Sequence, residues 1–119
     1  MAKEVDAITQ IYDFVLWFIP KIDKFPRNRR FVLGDRIEVL TLEILELLIE
    51  AAYTRRKSTL LRTANLKLEK LRYLVRLAKD LQAINLKAYG HAAKLLDGAG
   101  RSIGGWLKYS ENEKPQASV

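Results

Sequence analysis

Apolar residues recur along this chain at steps of three and four, the period of a helix face buried along one stripe. Val5, Ile8, Ile11, Tyr12, Val15, Phe18, Ile19 and Ile22 share one side and predict a first helix over residues 5–24. Pro20 lies inside it, removes a backbone donor and is expected to kink the helix. Pro26 disfavours helical geometry at Phe25, so a turn follows. A second helix is predicted over 28–54, with the seam Leu33, Ile37, Leu40, Ile44, Leu47 and Ala51. Beside it runs another stripe of Leu42, Leu45, Leu48 or Ile49, and Ala52, more apolar surface than the core of a small bundle needs.

The third predicted helix spans 58–83, with Ser58 as its N-cap and Leu61, Ala64, Leu68, Leu71, Val75 and Ala78 as its seam. Leu60, Leu74, Leu77 and Leu81 widen that seam. After a turn at Ile84-Asn85, Asn85 caps a fourth helix over 86–108, with Leu86, Tyr89, Ala93, Leu96, Ile103 and Leu107 in phase and Gly100 in the remaining place. Gly98, Gly100, Gly104 and Gly105 weaken this helix, and such residues allow close approach of a neighbour. Residues 110–119 are polar, carry Pro115 and read as a disordered tail. The fold class is therefore all-α: an up-down-up-down four-helix bundle within residues 1–109.

Composition adds one strong feature. The 119 residues suit one domain, and the absence of cysteine excludes disulfides, thiolate catalysis and cysteine-ligated zinc. The longest apolar run, Phe14 to Ile19, is far shorter than a membrane span, and the acidic start Glu4-Val5-Asp6 is not that of a signal peptide. A soluble, cytoplasmic protein without a membrane partner is expected. The net charge of +7 is unevenly spread. Residues 55–79 hold nine Lys/Arg against Glu69 alone, a net +8, whereas residues 1–54 carry −2 and 80–119 carry +1. Such a stretch is either an electrostatic footprint for a polyanion or a solvated helix face. A second basic cluster, Arg27-Asn28-Arg29-Arg30, opens the second helix, where free backbone donors also favour anions.

Catalytic chemistry finds little support. His91 is the sole histidine and has no carboxylate three or four residues away. Glu43, Glu46 and Glu50 share a helix face but lack the histidines of di-iron bundles, and they are expected to answer basic residues instead. No phosphate-binding loop or nucleophilic triad is present. The chain reads as a binding protein with no metal and no cofactor, not an enzyme.

The ordered combination Phe25-Pro26-Arg27-Asn28-Arg29-Arg30-Phe31-Val32-Leu33-Gly34-Asp35-Arg36-Ile37, Leu45-Glu46-Leu47-Leu48-Ile49-Glu50-Ala51, Arg72-Tyr73-Leu74-Val75-Arg76-Leu77-Ala78 and Gly104-Gly105-Trp106-Leu107 resembles a four-helix-bundle family over residues 5–108. That family includes the accessory variability determinant (Avd) proteins of diversity-generating retroelements and the proteins encoded by intervening sequences of 23S ribosomal RNA genes. The resemblance, which is better to the Avd branch, implies a pentameric barrel with a basic surface. It also implies binding to the retroelement reverse transcriptase and to nucleic acid, template RNA and cDNA, in support of mutagenic cDNA synthesis and retrohoming. The candidate contacts are Arg27, Arg29 and Arg30 at one bundle end with Arg55, Arg56, Lys57, Arg62, Lys67, Lys70, Arg72, Arg76 and Lys79. The alternative is a protein-binding scaffold of the ribosomal intervening-sequence type with no retroelement role.

Overall fold

A computed structural model describes residues 2–117, with side chains placed over 6–112. Four helices account for nearly all of it: α1, Ala2–Ile22; α2, residues 27–52; α3, Lys57–Asp80; and α4, Leu86–Ala117. Each packs against its sequence neighbours, and α1 closes the square against α4. Short turns between antiparallel neighbours make this an up-down-up-down bundle, 53 Å long and 23 × 19 Å across.

The core is continuous from end to end. Ala7, Ile11, Phe14, Phe18 and Ile22 line α1's inner side. Phe14 stacks on Phe18 with centroids 5.1 Å apart, and Phe25 meets Phe18 edge-on at 6.4 Å, closing one end of the bundle. Tyr12, expected on the inner stripe, is 52% exposed, because the buried line runs through Ile11 and Phe14 and leaves Tyr12 about 100° round the helix from Ile11. Val5 lies outside the residues with described side chains. α1 carries Pro20 in its last turn and continues to Ile22. Leu16 and Pro20 are both exposed, so the carbonyl that loses its donor is open to water.

α2 has three segments: an α turn, Arg27–Arg29; a π segment, Arg30–Gly34; and a long α-helix, Asp35–Ala52. The sequence pattern gave no sign of the π segment. Its widened turn brings Gly34 against α1, where a Cβ would stand 2.7 Å from Ile22 Cγ2. Beyond it the buried residues are Ile37, Leu40, Thr41, Ile44, Leu48 and Ala51, so the seam passes through Leu48 and not the expected Leu47. Both leucines satisfy the helical spacing, and Leu47 packs at the margin of the core. Thr41 is buried with its hydroxyl satisfied, donating to the Ile37 carbonyl at 2.7 Å.

In α3 all six predicted seam residues are buried. Leu77 and Leu81, expected to widen the seam, are 43% and 39% exposed. The helix starts one residue before Ser58, which makes no capping bond. Instead the Lys57 ammonium donates to the carbonyls of Ala51 and Thr54, each at 2.8 Å, closing the end of α2. α3 ends at Asp80, short of the expected 83. The amides of Gln82 and Ala83 turn back to the carbonyls of Lys79 and Ala78, with Gln82 in the left-handed region at φ 65°. Asn85 caps α4 as expected, its Oδ1 accepting from the Ala88 amide at 2.7 Å.

α4 departs most from expectation. Its buried side is Ala92, Leu96, Ala99, Ile103 and Trp106, sharing only Leu96 and Ile103 with the predicted stripe. Leu86 is 73% exposed, and Trp106 is 1% exposed. The helix also runs nine residues past the predicted end at 108, over most of the stretch read as a tail. Within that extension Arg62 of α3 pairs with Glu111, which ties the added turn to the bundle.

Candidate functional site

The basic residues singled out from sequence fall into three places that the fold does not bring together. Arg27, Arg29 and Arg30 stand at the end of the bundle that carries the α1–α2 turn. Arg30 donates to the Asp23 carbonyl at 3.3 Å and lies 5.3 Å from the Phe31 ring centroid. Arg55, Arg56 and Lys57 stand at the opposite end of the 53 Å molecule, in and just after the α2–α3 turn. The remaining six are distributed along α3.

Three of the six answer acids of neighbouring helices, and two answer Asp80 at the end of α3 itself. Lys67 bonds Glu43 of α2 at 3.1 Å, as expected for that glutamate, and Arg62 reaches Glu111 of α4. Arg72 is the most engaged. Its guanidinium bonds Asp97 at 2.5 Å and the Leu96 carbonyl at 3.3 Å. Its Nε lies 3.3 Å from Glu69, at ion-pair distance but off hydrogen-bond alignment. Arg76 faces Asp80 at 4.0 Å, and Lys79 bonds Asp80 at 3.1 Å while lying over the Tyr89 ring at 4.7 Å. Arg72, Arg76 and Lys79 do share one side of α3, as their spacing predicts, but that side is the α3–α4 seam. The like-charge excess counted along α3 alone is thus relieved by acids from α2 and α4. These pairs are largely exposed and each contributes little stability.

Six of the twelve candidates make no ion pair among the described residues: Arg27, Arg29, Arg30, whose one bond is to a backbone carbonyl, Arg55, Arg56 and Lys70. Lys70 lines a groove of about 610 Å³ between α2 and α3, together with Arg36, Val39, Glu43, Lys67 and Tyr73. Outside it, Leu42, Ile49 and Tyr53 of the α2 side and Leu66 and Leu77 of α3 stand exposed. The doubled stripe of α2 is therefore partly an outer, uncovered one.

α4 holds cations that the charge count along the chain passed over, because that segment is nearly neutral. Lys87, Lys94, Arg101 and Lys108 are exposed and make no ion pair among the described residues. The acids that balance them in the count, Asp97 and Glu111, are taken by Arg72 and Arg62 of α3. The signal that would have found them is their strict seven-residue spacing.

Among the described residues, no three His, Cys, Asp or Glu side chains stand close enough to hold a metal ion. No helix there is long and apolar enough to cross a membrane. His91 lies edge-on to Trp17 with ring centroids 4.5 Å apart, a packing contact at the α1–α4 seam.

A family model described as bAvd-like matches residues 7–110. The chain belongs to the bAvd-like family. The match takes in α2 and α3 whole and most of α1 and α4, and it includes every candidate cation named above. No curated protein shows a significant match to the chain.

Proposed function

We propose that this bAvd-like protein is a non-catalytic accessory factor of a diversity-generating retroelement. In this reading it holds the reverse transcriptase and nucleic acid, template RNA and cDNA, during mutagenic cDNA synthesis in the cytoplasm. The family match over residues 7–110 carries the reading. The unpaired cations at both ends of the bundle and on α3 and α4 are consistent with a polyanion partner.

The same reading assembles the chain into a ring of five. Val39, Leu42, Ile49 and Tyr53 with Leu66, Tyr73 and Leu77 give an apolar surface that a second copy would cover. Five copies would carry five times +7 and make binding steeply salt-dependent. Light scattering tests the assembly: five times the 13.7 kDa chain mass is expected, and a monomer sinks the ring. Co-expression with a retroelement reverse transcriptase tests the partner; co-elution through size exclusion is expected, and separate elution at low salt overturns the role.

The apolar groove between α2 and α3 favours one second reading, a protein-binding scaffold of the ribosomal intervening-sequence type. That reading expects capture of a protein partner with no retention of RNA.

A further inference from the structure

The outer side of α4 is unlike any other surface of the bundle. Lys87, Lys94, Arg101 and Lys108 recur every seven residues. Seven residues advance a helix by about 10.5 Å and leave the side chain within about 20° of the previous one. The four cations therefore form a line of roughly 32 Å along the outer face of α4. Between them, turned about 40° toward α1, lie His91, Gly98 and Gly105, with Gly90 and Gly104 on the opposite margin.

Two independent observations set this line apart from an ordinary solvated face. The first is electrostatic. Among the described residues no acid pairs with the line: Asp97, which shares a shallow depression with Lys94, is held by Arg72, and Glu111 is held by Arg62. Asp6, beside Arg101 in a shallow depression at the α1–α4 seam, makes no ion pair with it. The second is steric. A Cβ at Gly90 or Gly104 would meet nothing within 4 Å, and at Gly98 it would make only ordinary contacts of 3.7 Å to Gln10 and 4.0 Å to Arg101. Each glycine costs a helix up to about 1 kcal/mol against alanine. Nothing among the described residues requires that cost at these three positions, whereas Gly100 is explained by Arg72. Backbone bare of side chains between cations lets a charged chain lie close to the helix axis.

We propose that the outer face of α4 is a track for the sugar–phosphate backbone of a nucleic acid, with Lys87, Lys94, Arg101 and Lys108 on successive phosphates and the glycines as its floor. This rests on the nucleic-acid reading given above and places it on a surface that reading did not include. The face favours a nucleic acid over an acidic protein for a specific reason. Protein interfaces are anchored by buried aromatic or aliphatic side chains. Along the line the large exposed apolar residues among the described residues of α4 are Leu86 and Tyr109, at its two ends. Phosphate contacts need charge and access alone.

The test measures binding of the full-length protein to labelled oligouridylate RNA across a salt series. The variant Lys94→Ala/Arg101→Ala is compared with a charge-matched control, Lys24→Glu, and circular dichroism checks that both keep their helices. The track predicts a loss of roughly tenfold or more for the α4 variant and a salt slope smaller by about 1.4, from two lost single-strand contacts. The control should keep both. Gly98→Leu, which leaves the charge unchanged, should also weaken binding. No binding by the unaltered protein at low salt overturns the nucleic-acid reading together with the track. Binding by the unaltered protein with equal effects of the α4 variant and the control overturns the track alone. Polyglutamate competing as well as RNA overturns the choice of nucleic acid.

Discussion

The guanidinium of Arg72 fills the notch that Gly100 leaves in α4. A Cβ at residue 100 would stand 2.6 Å from Arg72 Nη2 and 3.4 Å from Leu68 Cδ2. The notch lets Arg72 cross from α3 to reach Asp97 and the Leu96 carbonyl. Gly100→Ala alone trades helix propensity against these bonds, so its net effect should be under about 1 kcal/mol. In an Arg72→Ala background the notch is empty, and the same change should stabilise by about 1 kcal/mol. Urea denaturation of the double-mutant cycle measures the coupling; strictly additive effects would mean that Arg72 does not use the notch.

Arg72→Glu would set a third carboxylate beside Asp97 and Glu69. It should cost roughly 2 kcal/mol and lower the thermal midpoint. Lys70→Glu, at a position without a partner among the described residues, should stay within about 0.5 kcal/mol. Any loss of RNA binding on reversing Arg72 therefore has to be corrected for stability, and Lys70 is the cleaner probe of α3.

Two glycines should respond oppositely to alanine. At Gly34 the added methyl meets Ile22 Cγ2 at 2.7 Å within the packed junction of α1 and α2. Ile22 is a buried, branched side chain, so the expected cost is about 1–3 kcal/mol. At Gly104 the methyl meets nothing, and helix propensity should add up to about 1 kcal/mol. Chemical denaturation midpoints separate the two; destabilisation at Gly104 would contradict the open face.

Gln82 holds a left-handed conformation at φ 65° where α3 closes, a place glycine fills without a Cβ penalty. Gln82→Gly should raise stability by about 0.5–1 kcal/mol, seen as a higher midpoint in thermal unfolding.

How far the sequence disclosed this molecule depended on contrast between neighbouring positions. The seam of α3 was legible, because Leu61, Ala64, Leu68, Leu71, Val75 and Ala78 keep an unbroken helical spacing, although its cap, its end and the flanking Leu77 and Leu81 were not. In α2, Leu47 and Leu48 are equal candidates by type, and only packing chooses between them. In α4 alanine and glycine carry too little hydrophobic contrast to fix the phase, so Trp106 was left off a seam it dominates. The basic surface was misweighted for a different reason. Charge counted along a segment cannot see that α3's arginines are met by α4's acids, which transfers the unpaired charge to α4.

The two tryptophans end up in opposite surroundings. Trp106 is sealed in the core, whereas Trp17 is half-buried between Lys21, 4.6 Å from its ring, and His91 at the α1–α4 seam, beside the cation line of α4. Intrinsic fluorescence therefore has two separable reporters without any added dye. Blue-shifted emission from Trp106 follows unfolding, and the intensity of Trp17 follows whatever settles beside His91. A Trp106→Phe protein would show ligand arrival at the α4 face, and a Trp17→Phe protein would show that the bundle remained intact while it arrived.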